Sequence, residues 1–287
     1  MTNIGIVILN YLSYDVTIKC VDYFKKQNKD NVNVKIIVVD NCSPNESYSK
    51  LFSKFKDDDI VTLVKTPKNL GFANGNNYGY KELLNFMDPD FVIMSNSDAY
   101  VKDPGLYEWI NDSYKKYKFG ILGPAIYSVR GKFYQSPIPN FTKNFSEIKK
   151  YKIHLQLSVF KAYIKSKLNL KENNEFSVDR WDNPFFKQMH SDMTLHGAFE
   201  IFSKDYLVKY KLPYDMHTFM YMEEYILRLR CEKINLPMIY SPEYKTYHLQ
   251  AVSTNKSAKS ESQRVLFKRK NMLRSLDAYV KFLKNNL

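Results

Sequence analysis

Four short apolar runs, each stopping abruptly at polar residues, most constrain how this chain can fold. They are residues 4–9 (IGIVIL), 35–39 (KIIVV), 60–65 (IVTLVK) and 91–94 (FVIM). Near-continuous β-branched runs of this length fit strands buried on both faces, as in a parallel sheet. Between them lie segments with helical spacing. In residues 15–24, Val16, Cys20, Val21 and Phe24 share a face; residues 47–55 form a second helix, and a third runs to Leu84. Strand and helix in regular alternation predict an open, mainly parallel α/β sheet flanked by helices. Ligands of such sheets lie beyond the C-terminal ends of the strands. Asn10, Asp40 and Asp98 all fall there, and that shared position is the first sign of a site.

Further along, residues 105–118 predict a surface helix and residues 119–126 (FGILGPAI) another buried element. Residues 130–190 mix Pro, Lys, Phe and Tyr without clean periodicity, which suits an insertion, a flap or a helical excursion over residues 148–168. Regular patterning returns with a strand over 194–202, a helix over 222–233 and a strand over 235–240. Residues 262–287 read as a basic amphipathic helix or helix pair.

A chain of 287 residues suits one large α/β domain or two closely joined lobes. An apolar content of 44% excludes a disordered chain. The net charge of +13 can attract nucleic acid, anionic membrane or phosphorylated ligands. No nucleic-acid module is visible, so nucleic acid is not expected as a partner. The three cysteines, Cys20, Cys42 and Cys231, lack zinc-like spacing and fit a reducing, cytosolic setting. The opening residues read as a strand and not a signal peptide, and no apolar stretch is long enough to span a bilayer. Peripheral attachment at the inner face of the plasma membrane stays open.

Several residues could carry chemistry, each with a plainer alternative. Asp40 could accept hydrogen bonds from a ribose or a base N–H, or simply close a turn. Asp98, at the end of Asn96-Ser97-Asp98, could hold a hard divalent cation or cap a turn. Residues 69–77 (NLGFANGNN) place glycines and asparagines ahead of a helix, where backbone can approach a ligand and a helix start favours anions. An ordinary polar loop is the alternative. Glu223 and Glu224 point in different directions on a helix, so at most one serves as a general base; a helix N-terminus also favours acidic residues. His248 could be a metal ligand or a satisfied structural histidine. Arg228 and Arg230 could face phosphates or membrane, or lie on solvated helix surface.

Taken in order, these segments resemble the inverting family 2 glycosyltransferases of GT-A fold, and within them the rhamnosyltransferase-like bacterial polysaccharide branch. The resemblance rests on IVILNY (6–11), VVDNCSP (38–44), NLGFANGNNYG (69–79), MSNSDAYV (94–101), GAFEIFSKD (197–205), FMYMEEYILRLR (219–230) and YHLQAVST (247–254). It implies a hexosyltransferase that takes a hexose or deoxyhexose from a UDP- or dTDP-sugar, with Mn²⁺ or Mg²⁺, to a glycan or lipid-linked glycan acceptor. By the same resemblance Asp40 contacts the base, Asp98 meets the metal, and His248 meets the metal or the diphosphate. Glu224 is the base, with Glu223 beside the acceptor, and Asn10, Asn69, Gly71, Asn76, Asn96, Gly197 and Ala198 line the donor site. The implied division is a nucleotide-sugar half (1–126), a variable acceptor-side region (127–193), a catalytic half (194–260) and a basic helical tail (261–287). Four features depart from the family pattern. Asn96 stands where it has its first acidic metal residue, and Glu224 where its base is usually aspartate. Ile226 stands in place of a further acidic residue, and LPYDMHTF (212–219) in place of the GxFDE form, of which Asp215 keeps part.

A homologue that binds nucleotide or sugar without catalysis would lack the metal or base residues, and Asp98 and Glu224 are both present. A nucleotidyltransferase would want a glycine-rich, basic loop after the first strand, and NYLSYD does not supply one.

Overall fold

The structure is a computed structural model that describes residues 1–168, 183–249 and 260–286. Its strands are β1 (Thr2–Asn10), β2 (Val32–Asp40), β3 (Val61–Lys65), β4 (Phe91–Asn96), β5 (Ala99–Val101), β6 (Ile121–Ser128), β7 (Phe133–Tyr134), β8 (His190–Ser191), β9 (Phe199–Ser203) and β10 (Met238–His248). The helices are α1 (Tyr14–Lys25), α2 (Ser47–Phe55), α3 (Gly71–Leu83), α4 (Leu106–Tyr117), α5 (Phe145–Lys167), α6 (Lys204–Tyr210), α7 (Glu223–Lys233) and α8 (Glu261–Asn286). One sheet runs in the order β3-β2-β1-β4-β9-β6-β10-β5. Its long strands run parallel except β9, which lies antiparallel between β4 and β6; the short β5, β7 and β8 are also antiparallel. This is the open mixed, mostly parallel sheet that the alternating pattern predicts.

The apolar runs are buried on both faces, as continuous hydrophobic strands must be. Ile4, Ile6 and Ile8 pack beneath α1, α2 and α4. Val7, Ile37 and Val39 pack beneath α3, α6 and α7. A third cluster joins Ile148 of α5, Ile226 of α7, and Leu276, Tyr279 and Leu283 of α8. The irregular stretch thus contains one long helix, the excursion over 148–168, and the basic C-terminal stretch is a single helix and not a pair. The sheet register sets Asn10 opposite Asp40 and Leu9 opposite Asn96, so three strand ends lie along one edge.

Three expectations need correction. The glycine–asparagine segment does not precede α3 but forms it from Gly71 onward. The reason is close packing. A Cβ at Gly79 would lie 2.5 Å from both Val39 Cγ2 and Val7 Cγ1, and one at Gly75 would lie 2.7 Å from Leu9 Cδ1. Glycine therefore serves helix–sheet contact. The strand expected over 194–202 begins only at Phe199, because the chain turns at Gly197 and Ala198 before it enters β9. The strand expected to end at Tyr240 continues to His248, because its second half pairs with β6 and β5. Gly79→Ala is expected to lower stability by about 1–3 kcal/mol through overpacking against Val7 and Val39. Urea unfolding measures this, and an unchanged midpoint would mean that α3 can ride off the sheet.

Candidate active site

The edge beyond β1, β2 and β4 is a network of buried polar groups. Asn10 is its hub. Its Oδ1 accepts from Thr17 Oγ1 at 2.8 Å and from Ser13 N at 3.3 Å, and its Nδ2 donates to Asp40 Oδ2 at 3.2 Å. Asp40 Oδ1 accepts from Ser43 N at 2.7 Å, and both Asn10 and Asp40 are fully buried. Asp40 therefore does the turn-closing work of the plainer alternative in this structure. Ser13 Oγ lies 3.2 Å from Ser97 Oγ, which ties the end of β1 to the Asn96-Ser97-Asp98 segment.

The start of α3 is closed to an anion, contrary to the reading of residues 69–77. Leu70 N donates to Asn41 Oδ1 and Gly71 N to Asn69 Oδ1, each at 2.9 Å, while Phe72 N donates to Phe219 O at 2.7 Å. Gly71 holds a φ of +79°, and a Cβ there would collide with the Phe219 carbonyl. The close approach that glycine permits is to the chain's own loop. Asn74 donates to Met216 O at 3.0 Å, and Asn77 exchanges two 3.0 Å bonds with the Tyr214 backbone. Asn76 donates to Phe72 O at 3.1 Å, and its buried Oδ1 has no partner among the described residues.

This clasp fixes the loop that leads into α7. Tyr221 and Met222 stand at φ of 71° and 70°, left-handed values that cost bulky residues about 1–3 kcal/mol each. Ser275 Oγ of α8 holds the Met220 carbonyl at 2.9 Å from the other side. Arg230 pins the loop's first part. It donates to Leu212 O and Pro213 O and to Asp215 Oδ2, each at 3.2 Å. Burial works against the Asp215 carboxylate, but His217 and Arg230 more than offset it, and its pKa lies below the usual value. Arg228 donates to Asp192 O at 2.9 Å and pairs with Glu232 at 2.8 Å. Neither arginine faces open solvent as a phosphate or membrane contact.

The loop delivers two carboxyls with different surroundings. Glu223 is buried, with one oxygen lacking a partner among the described residues. Burial first and the charge of Glu224 second push its pKa well above the usual range. Burial also raises Glu224, but its own N–H and that of Gly197 counter the effect. Of the pair, Glu224 is the easier to ionise. A Cβ at Gly197 would lie 3.0 Å from Glu224 Oε1, so the glycine leaves room for this carboxylate.

On the other side of the same turn stand Asp98 and His248. His248 Nε2 lies 3.1 Å from Asp98 Oδ1, and its Nδ1 lies 2.8 Å from Gln135 Oε1. One ring nitrogen thus faces the Gln135 carboxamide and the other the Asp98 carboxylate. A ring N–H given to the carboxylate, or a metal ion held by both groups, would each satisfy this contact. Residues 196–198 join the two groups. The His196 ring sits 5.8 Å from that of His248, Gly197 abuts Glu224, and Ala198 O accepts from Asn96 N at 2.9 Å. Burial and the nearness of His248 push the His196 pKa down to about 3. The ring is therefore neutral, with Nδ1 accepting from Ala198 N at 3.1 Å.

Residues 5–171 match the model of glycosyl transferase family 2, more than half of the chain. The chain belongs to this family. It is a glycosyltransferase by that membership, and its sheet is the GT-A arrangement. The S. aureus TarS 1-349 crystal structure superposes with a TM-score of 0.53 at 13% identity, covering 98% of this chain and 74% of that one. The same protein in complex with UDP gives 0.54 at 15%, covering 96% and 72%. GalNAc-T7 with UDP, GalNAc and Mn²⁺ gives 0.60 at 10%, covering all of this chain and 54% of its own. Identities this low establish the fold. No curated protein matches the chain significantly in sequence. No helix among the described residues is long and apolar enough to cross a membrane.

Sequence reasoning did not single out Glu200, His196 or Gln135. Glu200 had a signal, a carboxylate in the middle of the otherwise apolar FEIF strand. It is fully buried, and its Oε2 accepts from Tyr214 OH at 2.6 Å. Burial, with the Glu224 charge adding to it, raises its pKa from 4.5 to about 8. Between those values the folded protein keeps a proton that the unfolded chain has released. Stability therefore falls as pH rises from about 4.5 towards 8. Relative to wild type, Glu200→Gln should gain about 1–3 kcal/mol on going from pH 5 to pH 8. Urea titrations at the two pH values test this, and an offset that does not change with pH would refute it.

Proposed function

We propose that the chain performs metal-dependent, inverting transfer of a hexose or deoxyhexose from a UDP- or dTDP-sugar to a sugar hydroxyl of a glycan acceptor. The acceptor would be lipid-linked and met at the inner face of the plasma membrane, as in the rhamnosyltransferase-like polysaccharide branch. The observation that carries this reading is the turn at residues 196–198, which touches Glu224 on one side and the Asp98–His248 pair on the other. A base and a place for a diphosphate's counter-ion then flank one point beyond the sheet edge. The bound UDP and sugar in the TarS and GalNAc-T7 structures support a pyrimidine nucleotide donor.

Asp98 and His248 fit a divalent cation as far as they go. One carboxylate oxygen and one imidazole nitrogen, 3.1 Å apart and braced by Gln135, suit neighbouring positions on Mn²⁺ or Mg²⁺. Among the described residues no third His, Cys, Asp or Glu completes a cluster. Diphosphate oxygens and water would supply the rest of the shell. A bound metal ion would stabilise the charge on the departing nucleoside diphosphate.

In this reading Glu224 takes the proton of the acceptor hydroxyl. The acceptor oxygen bonds to the anomeric carbon as the bond to the diphosphate breaks, and attack from the opposite face inverts the configuration. Glu223 stays protonated and borders the acceptor. Neutral His196 adds no charge between acid and metal. Asp40 keeps spare acceptor capacity for a base N–H, reached by a shift of the Cys42–Ser43 turn. Asn10, Asn69, Gly71 and Asn76 hold the donor-side wall in place, and Asn96, Gly197 and Ala198 form the rim facing the sugar.

A panel of UDP-, dTDP- and GDP-sugars with Mn²⁺, Mg²⁺ or EDTA tests the proposal. One nucleoside diphosphate should be released, only with metal. Glu224→Gln should lower the rate about 10²–10⁴-fold while sparing donor binding. Asp98→Ala should abolish the metal dependence together with most of the activity. Turnover undiminished by EDTA would overturn the metal role, and failure to bind any nucleotide sugar would overturn the donor assignment.

A further inference from the structure

The long helix α5 is apolar on two opposite faces. One face, with Ile148, Leu155 and Ala162, is buried. The helix runs antiparallel to α8, held by Lys152–Asp277, by Arg269 to Ser158 O at 3.3 Å and by Tyr151 OH to Met272 Sδ at 3.1 Å. The other face points to solvent. It carries Ile153, Leu157, Phe160, Ile164 and Leu168, all 40–63% exposed. Their spacing of four, three, four and four residues forms a straight stripe about 22 Å long. A contiguous apolar stripe of this size is unusual on a solvated surface.

Charge decides what can cover it. Exposed Lys149 and Lys167 border the stripe on one side, and exposed Lys150 and Lys161 on the other. The sole acidic residue of α5, Glu147, lies at its N-terminus and bonds Thr142 Oγ1. At the far end exposed Lys270 of α8 adds a further cation, with Lys167 and Lys270 each 5.9 Å from the Tyr163 ring centre. A second copy of this chain would set one row of lysines against another. An apolar strip between cationic borders instead complements acyl chains beneath anionic headgroups.

We infer that the outward face of α5 is the surface by which this protein lies on an anionic bilayer. The helix sinks its stripe to the headgroup boundary, and the lysines meet lipid phosphates. The placement suits a membrane-held acceptor. Phe141, just before α5, packs its ring 5.2 Å from Tyr151 and 5.4 Å from Tyr225, the neighbour of Glu224. The surface stands apart from the proposed chemistry, because lipid binding is read without turnover.

The test is co-sedimentation of the full chain with vesicles of phosphatidylcholine alone or mixed with phosphatidylglycerol. Wild type should bind the mixed vesicles and be released by salt. Leu157→Glu/Phe160→Glu should lower the bound-to-free ratio at least about tenfold with thermal unfolding unchanged. Lys149→Glu/Lys161→Glu, which leaves the apolar stripe intact, should abolish the preference for phosphatidylglycerol. Absence of wild-type binding, or binding that neither variant weakens, would overturn the inference. So would a wild-type dimer that Leu157→Glu/Phe160→Glu dissociates while vesicles stay unbound, which would assign the stripe to a second copy.

Discussion

The close seat of α3 between the sheet and the 214–222 loop is the constraint on which the site depends. On one side Gly75 and Gly79 let the helix rest against Leu9, Val7 and Val39 with no Cβ between. On the other, Gly71 leaves room for the Phe219 carbonyl, and Phe72, Asn74 and Asn77 bond the backbone of Phe219, Met216 and Tyr214. Strands β1 and β2 position the helix, the helix positions the loop, and the loop aims Glu223 and Glu224. The proposed base is thereby referenced to the same strands that end at Asn10 and Asp40. Two residues in left-handed backbone are tolerated because both ends of the loop are tied.

Within that frame, surroundings and not residue type divide the acids into roles. Glu200, Glu223 and Glu224 lie near one another; burial lifts all three, and the charge of Glu224 adds to it for Glu200 and Glu223. Two backbone N–H groups favour the charge on Glu224, the Tyr214 phenol offsets burial only in part at Glu200, and Glu223 keeps an oxygen unmatched among the described residues. Asp215 has the opposite environment, with Arg230 and His217 beside it, and stays charged. Of the three glutamates, the carboxylate beside Gly197 is the most readily charged.

Most of the fold was legible because β-branched runs and helical spacing are local signals. Residues 4–9, 35–39 and 91–94 could only be buried strands, and Ser47–Phe55 has the bounds its periodicity indicates. The strand-end placement of Asn10, Asp40 and Asp98 followed from the topology alone. The rest depended on contacts remote in sequence. That the 69–77 glycines serve packing requires knowing that Val39 and Phe219 lie against them. That Gln135 braces His248 requires the return of β6 beside β10, across more than a hundred residues. The end of the closing motif, residues 250–254, lies outside the described residues. Glu200 was visible as a charge in an apolar strand, but its partner Tyr214 was not.

The antiparallel pairing of α5 with α8 has a consequence for how the chain is made. Helix α5 emerges from the ribosome more than a hundred residues before the helix that covers its inner face. Throughout that interval its inner face lacks the α8 side chains that cover it, and the loop above α7 lacks Ser275. The sheet can assemble while synthesis continues, but the cluster between α5, α7 and α8 closes only once α8 is free. A long helix with two sticky faces is then the segment most open to chaperones, to aggregation or to an early encounter with lipid.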